Sequence, residues 1–162
     1  MRVLRDTELR IAEGWMREAA RVAEQALCLK AKCGTVIVKD EKIIGEGYNA
    51  PPQNDISKRK CLDVYDLPQK FKYDRTCCLH AEWRAIMDAL ARTPLELKDA
   101  ALYFTRVDSQ GKMLYSGMPY CTECSRMAFD SGIAHFLLWH EGGLVEYPTD
   151  EYNDLSYAYN EA

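Results

Sequence analysis

The first thirty residues of the chain form a long amphipathic segment. From Thr7 to about Lys30, apolar residues recur at spacings of three and four, which predicts an α-helix with one buried side. This side is defined by Ile11, Trp15, Val22, Ala26 and Leu29. Asp6 or Thr7 can serve as the N-cap, and Gly34 lies shortly beyond the expected end.

The residues after this helix favour a β-hairpin. Residues 35–39 are rich in β-branched side chains, residues 40–42 are polar, and residues 43–49 return to an extended pattern. A second helix is predicted from about Leu79 to Ala91, before Pro94. Its apolar side is defined by Leu79, Trp83, Ile86 and Leu90.

Strand and helix patterns then alternate to the end of the chain. Residues 100–105 are typical of a buried strand, a helix is predicted from about Cys121 to Ser131, and residues 133–139 favour another strand. Gly132 is a good C-terminal cap for that helix. A last short helix is indicated by Tyr152, Leu155 and Tyr159. This order predicts an α/β sandwich with a central mixed sheet, formed by residues 1–162 as a single domain.

The connection from residue 50 to residue 78 has a different character. Pro51 and Pro52 stop regular structure, and Lys58-Arg59-Lys60 is a cationic run. A connection of this length in a compact domain is usually a lid or a binding loop, so we expect a functional loop here. A solvated variable insertion is the alternative.

Composition narrows the classes of protein. Hydrophobic residues make up 48% of the chain and charged residues 28%, and no apolar run reaches the roughly 18 residues of a membrane span. Met1 to Asp6 lack the features of a signal peptide, and the seven cysteines are an odd number, so we expect reduced thiols and a cytoplasmic location. The net charge of -4 argues against a nucleic-acid partner and is compatible with a small anionic substrate.

Two short motifs carry the candidate chemistry. His80 is followed two residues later by Glu82, at the start of the second helix, and Cys121 and Cys124 are three residues apart on one face of the third. One imidazole and two thiolates are three zinc ligands, and a fourth position left open for water is typical of catalytic zinc. Cys77 or Cys78 could instead complete a closed structural site.

Glu82 is expected to have a different role from the ligands. Two residues along an ideal helix is a rotation of about 200°, so Glu82 cannot project beside His80 towards one metal ion. At a helix N-terminus it can transfer protons between a zinc-bound water and a substrate. The N–H of Ala81, which has no partner within the helix, can donate a hydrogen bond to a substrate carbonyl.

With these motifs in place, the chain resembles the zinc-dependent cytidine and deoxycytidylate deaminase superfamily, whose signature is H-x-E followed by P-C-x-x-C. The matching segments are residues 36–39, 47–49, 80–82, 102–105, 121–124 and 131–133. The segment Gly47-Tyr48-Asn49 looks most like the deoxycytidylate branch. The sequence departs from the family pattern by placing Tyr120 between Pro119 and Cys121, and by having Arg84 where the family usually has Asn.

The resemblance implies a three-layer α/β/α fold and a Zn²⁺ cofactor held by His80, Cys121 and Cys124. It implies that Glu82 shuttles protons while a zinc-bound hydroxide attacks C4 of a free cytosine nucleotide or nucleoside, with dCMP to dUMP favoured. Asn49 would bind the pentose, Ala81 the pyrimidine carbonyl, and Arg75 or the cationic run a 5′-phosphate. For Asn49 a local turn role is the alternative.

The same motifs and fold are compatible with other functions. Deamination of a free base or a purine such as guanine, editing of a nucleic acid, and a non-enzymatic structural zinc protein are the alternatives to the cytosine hypothesis. The resemblance also implies a homo-oligomer.

Overall fold

A computed structural model describes residues 1–61 and 77–159 of the chain. The strands are β1 (Arg2–Val3), β2 (Lys32–Lys39), β3 (Lys42–Tyr48), β4 (Ala101–Val107), β5 (Met113–Leu114), β6 (His135–His140) and β7 (Gly143–Pro148). The helices are α1 (Asp6–Ala23), α2 (Ala81–Arg92), α3 (Thr122–Asp130) and α4 (Thr149–Ala158). No helix in these described ranges is both long enough and apolar enough to cross a membrane.

The strands form one mixed sheet, as the sequence predicted. Its order is β1-β7-β6-β4-β2-β3, and β5 pairs with β4 beside this path. Strands β4 and β6 are parallel, whereas the other pairs are antiparallel. The parallel pair lies at the centre of the sheet. Of the two helices that begin with the candidate motifs, α2 packs mainly on β3 and β2, and α3 packs against α4 and α2.

Helices cover both faces of the sheet, which confirms the three-layer α/β/α architecture. Alternate residues of a strand point to opposite faces, and Val36 packs with α1 whereas Ile37 packs with α2. Two glycines allow the helices to approach closely. A Cβ atom on Gly34 would lie 2.1 Å from the carbonyl oxygen of Ala19 in α1, and one on Gly47 would lie 2.2 Å from that of Ala81 in α2.

The first helix differs from its prediction. It ends at Ala23 rather than near Lys30, because the chain then turns and the N–H of Leu27 donates to the carbonyl of Asn49. Arg5 is the N-cap and makes no side-chain capping bond, so neither Asp6 nor Thr7 caps the helix. The predicted buried side is also wrong in part, since Ile11 and Leu29 are exposed. The buried side is formed by Ala12, Met16, Ala19, Ala20, Val22 and Ala23.

Most other predicted elements are confirmed. The hairpin of β2 and β3 turns at Asp40 and Glu41, both with positive φ, and α3 is followed by Gly132 at a φ of 83°. The final helix is present as α4. Strands β1, β5 and β7 were not predicted from the sequence. In α2, Leu90 was predicted to lie on the buried side, but it is exposed.

Part of the long connection lies within the described residues. It begins with two short 3₁₀ turns, Pro52–Asn54 and Ile56–Lys58. Residues 62–76, which include the predicted phosphate ligand Arg75, lie outside the described residues.

Candidate metal centre and active site

His80 is held at the point where an extended segment becomes helix α2. Its own backbone is extended, with φ −71° and ψ 153°, and it is the N-cap of α2. The preceding residue, Leu79, donates its N–H to the carbonyl oxygen of Ala50 at 2.9 Å. The start of α2 also lies close against Gly47 of β3, and this contact holds the helix on the sheet. The imidazole therefore projects from an anchored helix start.

The two cysteines of the second motif begin helix α3. Cys121 is its N-cap, and the sulfur of Cys121 accepts a hydrogen bond from the backbone N–H of Cys124 at 3.4 Å. The two sulfur atoms are 3.0 Å apart. The Nδ1 atom of His80 lies 3.1 Å from the sulfur of Cys124 and 3.4 Å from that of Cys121. The structure thus brings the three predicted ligand residues together.

This cluster has the composition of a zinc site. Its three ligand atoms lie within 4.8 Å of one another, and it is the one such group of His, Cys, Asp or Glu in residues 1–61 and 77–159. Two sulfurs and one imidazole nitrogen form a donor set that zinc prefers. Cys124 is fully buried, while His80 and Cys121 are partly exposed, so the cluster is not completely enclosed. The residues present therefore fit the metal.

The charges in the cluster favour a thiolate. Hydrogen bonds from Cys124 and from His80 lower the pKa of Cys121 to about 4, against the effect of burial. The hydrogen bond with Cys121 in turn raises the pKa of His80 to about 9. Burial raises the pKa of Cys124. A deprotonated cysteine is the form that binds a metal ion, so Cys121 is prepared as a ligand.

Glu82 is a buried carboxyl group beside this cluster. Only 6% of the residue is exposed, and burial raises its pKa to about 7, with a further contribution from Cys121. It is not a member of the ligand group, in agreement with the helical geometry. A carboxyl group with a pKa near neutrality can both accept and release a proton at physiological pH.

Asn49 and Ala81, the two residues predicted to bind the substrate, are held firmly within the fold. The Oδ1 atom of Asn49 accepts from the backbone N–H of Cys33 at 2.9 Å, and its Nδ2 donates to the carbonyl of Ala31 at 2.8 Å. These bonds tie the end of β3 to the start of β2, so the amide does not cap its own turn. Ala81 is the first residue of α2 and is fully buried.

Comparison with known proteins decides the family. Residues 9–139 match the model of the cytidine and deoxycytidylate deaminase zinc-binding region. The chain belongs to this family. It is therefore a zinc-dependent hydrolytic deaminase, and the resemblance seen in the sequence is confirmed.

Individual relatives of this deaminase agree with the family match. The deoxycytidylate deaminase of Mycobacterium phage D29 is 29% identical over 121 residues, which cover 71% of this chain and 83% of that protein. The dCMP deaminase of cyanophage S-TIM5, solved with dCMP and dUMP, is similar with a TM-score of 0.54 at 19% identity, over 81% and 82% of the two chains. The cytidine deaminase of Burkholderia pseudomallei has a TM-score of 0.56 at 18% identity, over 86% and 94%.

Cys77 and Cys78 do not complete the zinc shell of this deaminase. Their sulfur atoms are 3.8 Å apart, and neither belongs to the ligand group of His80. Burial raises the pKa of Cys78, and its nearest thiol neighbours are Cys28 and Cys77. The structure therefore does not support the closed four-ligand alternative within the described residues.

Arg59, in the cationic run of residues 58–60, is held by a hydrogen bond within the fold. The Nη2 atom of Arg59 donates to the carbonyl oxygen of Leu27 at 2.6 Å and so fastens the loop after Asn49 to the turn after α1. Lys58 is exposed. Arg75 lies outside the described residues, so its predicted role stays a prediction.

Arg84 is a residue whose role the sequence did not reveal. Its guanidinium donates to Oδ1 of Asn54 at 2.7 Å and to the carbonyl oxygen of Pro51 at 3.0 Å. It also lies 5.3 Å from the ring centroid of Tyr48. Arg84 thus fastens the loop that follows Asn49 onto helix α2. The only signal in the sequence is the arginine at a position where the family usually has asparagine.

A separate groove lies next to the metal cluster. It has a volume of about 850 Å³. The residues that line it include Trp83, Met127, Phe129 and Asn153 and the charged Arg126. The ring of Trp83 stacks on His80 with centroids 5.2 Å apart. Glu82 is not among the residues that line this groove.

Proposed function

We propose that this deaminase converts a free cytosine nucleotide or nucleoside to the uracil compound, with dCMP to dUMP as the favoured reaction. The observation that carries the proposal is the buried Glu82 beside His80, Cys121 and Cys124. The choice of substrate is supported by the relative named deoxycytidylate deaminase and by the phage enzyme solved with dCMP and dUMP.

The reaction replaces the exocyclic amine at C4 with oxygen from water and releases ammonia. Zinc held by the Nδ1 of His80 and the sulfurs of Cys121 and Cys124 would supply the Lewis acidity that makes water a nucleophile near neutral pH. Glu82 then has two tasks. Its carboxylate takes one proton from the water and delivers it to N3 of the pyrimidine ring. It then takes the second proton from the hydroxyl that is now bonded to C4 and delivers it to the amine, so that the C4–N bond breaks and ammonia leaves.

Two further residues would orient the substrate. The backbone N–H of Ala81 has no acceptor within α2 and would donate to the pyrimidine carbonyl. Asn49 would bind the pentose. Its Nδ2 already donates to Ala31, but an amide nitrogen has a second hydrogen that can still be donated to a sugar hydroxyl.

The test is ammonia release from a panel of free bases, nucleosides and nucleotides, using protein with measured zinc content. We expect turnover of cytosine compounds, with dCMP giving the highest kcat/KM. Turnover of guanine or another purine alone would refute the cytosine assignment. A steep salt-dependent affinity for single-stranded oligonucleotides, together with deamination of such strands, would favour nucleic-acid editing instead.

Homo-oligomeric assembly and a cytoplasmic location stay predictions from the sequence. Sedimentation analysis would test the first.

A further inference from the structure

Arg106 is a cation on the α2 face of the sheet that has no side-chain partner among the residues the structure describes. It is the sixth residue of β4, and its guanidinium Nε is buried and makes no hydrogen bond. It forms no ion pair within the described residues. A buried or half-buried guanidinium is normally matched by an anion, because removing it from water is costly.

The register of the sheet shows where this side chain points. Arg106 of β4 is directly opposite Cys33 of β2 in an antiparallel pair, so their side chains share one face. Cys33 and Phe104 both pack in the core under α2. Because Arg106 follows Phe104 by two residues, it also faces the α2 side, where Glu82 and the zinc ligands lie.

Cys33 connects Arg106 to the catalytic residues. Burial raises the pKa of the Cys33 thiol to about 12, the charge of Glu82 raises it further, and the charge of Arg106 opposes this effect. Both charged groups therefore lie close enough to the thiol to act on it. The backbone N–H of Cys33 also binds the Oδ1 of Asn49 at 2.9 Å. Arg106 is thus linked through Cys33 to Asn49, the residue proposed to bind the pentose.

Asp108, the acidic residue nearest to Arg106 in the sequence, forms no ion pair with it among the described contacts. The Oδ1 atom of Asp108 accepts hydrogen bonds from the backbone N–H groups of Gln110 and Lys112, at 2.8 and 2.9 Å. That carboxylate is used to form the turn between β4 and β5.

We propose that Arg106 binds a phosphate monoester carried on the sugar of the substrate. A guanidinium matches the geometry of phosphate oxygens with paired donors. Arg106 pairs across the sheet with Cys33, which is hydrogen-bonded to Asn49, and no acidic side chain of residues 1–61 or 77–159 forms an ion pair with it. Arg106 would therefore make the enzyme prefer a nucleotide to a nucleoside. This inference rests on the proposed function, because it assumes that a cytosine compound is the substrate.

The test compares dCMP with deoxycytidine, which differ only by the phosphate. For Arg106→Gln we expect kcat/KM for dCMP to fall about 10- to 100-fold, mainly through a higher KM, while kcat/KM for deoxycytidine stays within about twofold of wild type. Arg106→Lys keeps the charge but loses the paired donors, so it should retain an intermediate activity on dCMP.

Controls separate this role from a structural one. Arg17→Gln, at an exposed position of α1, should leave both substrates unaffected. Zinc content and thermal unfolding of the Arg106 variants should match wild type. An equal loss on both substrates, or no loss on either, would overturn the role of Arg106 while leaving the deaminase assignment intact. If the wild-type protein released ammonia from neither compound, the proposed function itself would fail, and the inference with it.

Discussion

At the scale of single residues, burial decides the chemistry of the site. Glu82 and Cys33 lie on the same side of the sheet, and burial raises the pKa of both. In Glu82 the pKa of about 7 is the value that the proposed proton transfer near neutral pH requires. In Cys33 burial keeps the thiol protonated and unreactive.

The thiol of Cys33 should make stability fall at alkaline pH. Its pKa is about 12 in the folded protein and about 8.5 in an unfolded chain. The contribution of the protonated thiol to the free energy of unfolding is therefore complete below about pH 8.5 and is lost as the pH rises towards 12. By about pH 10 the loss should be of the order of 1 to 2 kcal/mol. Urea unfolding of wild type and Cys33→Ala tests this. The advantage of wild type over the variant should shrink from pH 7 to pH 10, and a constant difference would contradict the buried thiol.

At the scale of elements, the close contact between α2 and β3 positions the metal cluster. A Cβ atom on Gly47 would lie 2.2 Å from the carbonyl oxygen of Ala81, at the helix end that carries His80. Gly47→Ala should therefore lower the free energy of unfolding by about 1 to 3 kcal/mol and also weaken zinc binding, because the helix start must move.

Two other glycines are controls for this contact. Gly34→Ala forces α1 rather than α2 off the sheet, so it should destabilise the fold with little change in zinc affinity. Gly14→Ala has open space on α1 and should be neutral or stabilising. Urea unfolding and zinc competition with a chelator measure both quantities. Equal zinc affinities in wild type and Gly47→Ala would contradict the account.

These close contacts also explain which parts of the fold the sequence did not reveal. Large apolar residues were expected on the buried side of α2, but the helix lies so close to Gly45 and Gly47 that alanines occupy the contact and Leu90 is exposed. Strand β7 was not predicted because its sequence, Gly143–Pro148, contains Glu146 and ends in proline, and so lacks a clear strand pattern.

The candidate site was more predictable than the fold around it. The grouping of His80, Glu82 and the two cysteines could be predicted from the sequence. Residues that are two or three positions apart at the start of a helix have a fixed relative geometry. The contacts of Arg84 with the loop, and the position of Arg106 opposite Cys33, depend on pairing between distant segments. No local pattern specifies that pairing.

At the scale of the whole molecule, zinc should stabilise the folded domain. The ligands come from two helices that are about forty residues apart in sequence, so a bound ion joins them. At a zinc concentration about 1,000 times its Kd, the expected stabilisation is about 4 kcal/mol, or roughly 10 °C in Tm for a chain of this size. Calorimetry with and without a chelator checks this. We expect one transition, as for a single domain, which shifts down on chelation and recovers with added zinc. An unchanged Tm on complete zinc removal would contradict this prediction.

The most direct test of the account is ammonia release from dCMP by zinc-loaded wild type and by Glu82→Gln. Glutamine keeps the size of the side chain but cannot carry the proton, so the variant should be folded, contain as much zinc as wild type, and be slower by about 10²- to 10⁴-fold. A zinc-loaded Glu82→Gln protein that deaminates dCMP as fast as wild type would contradict the central claim.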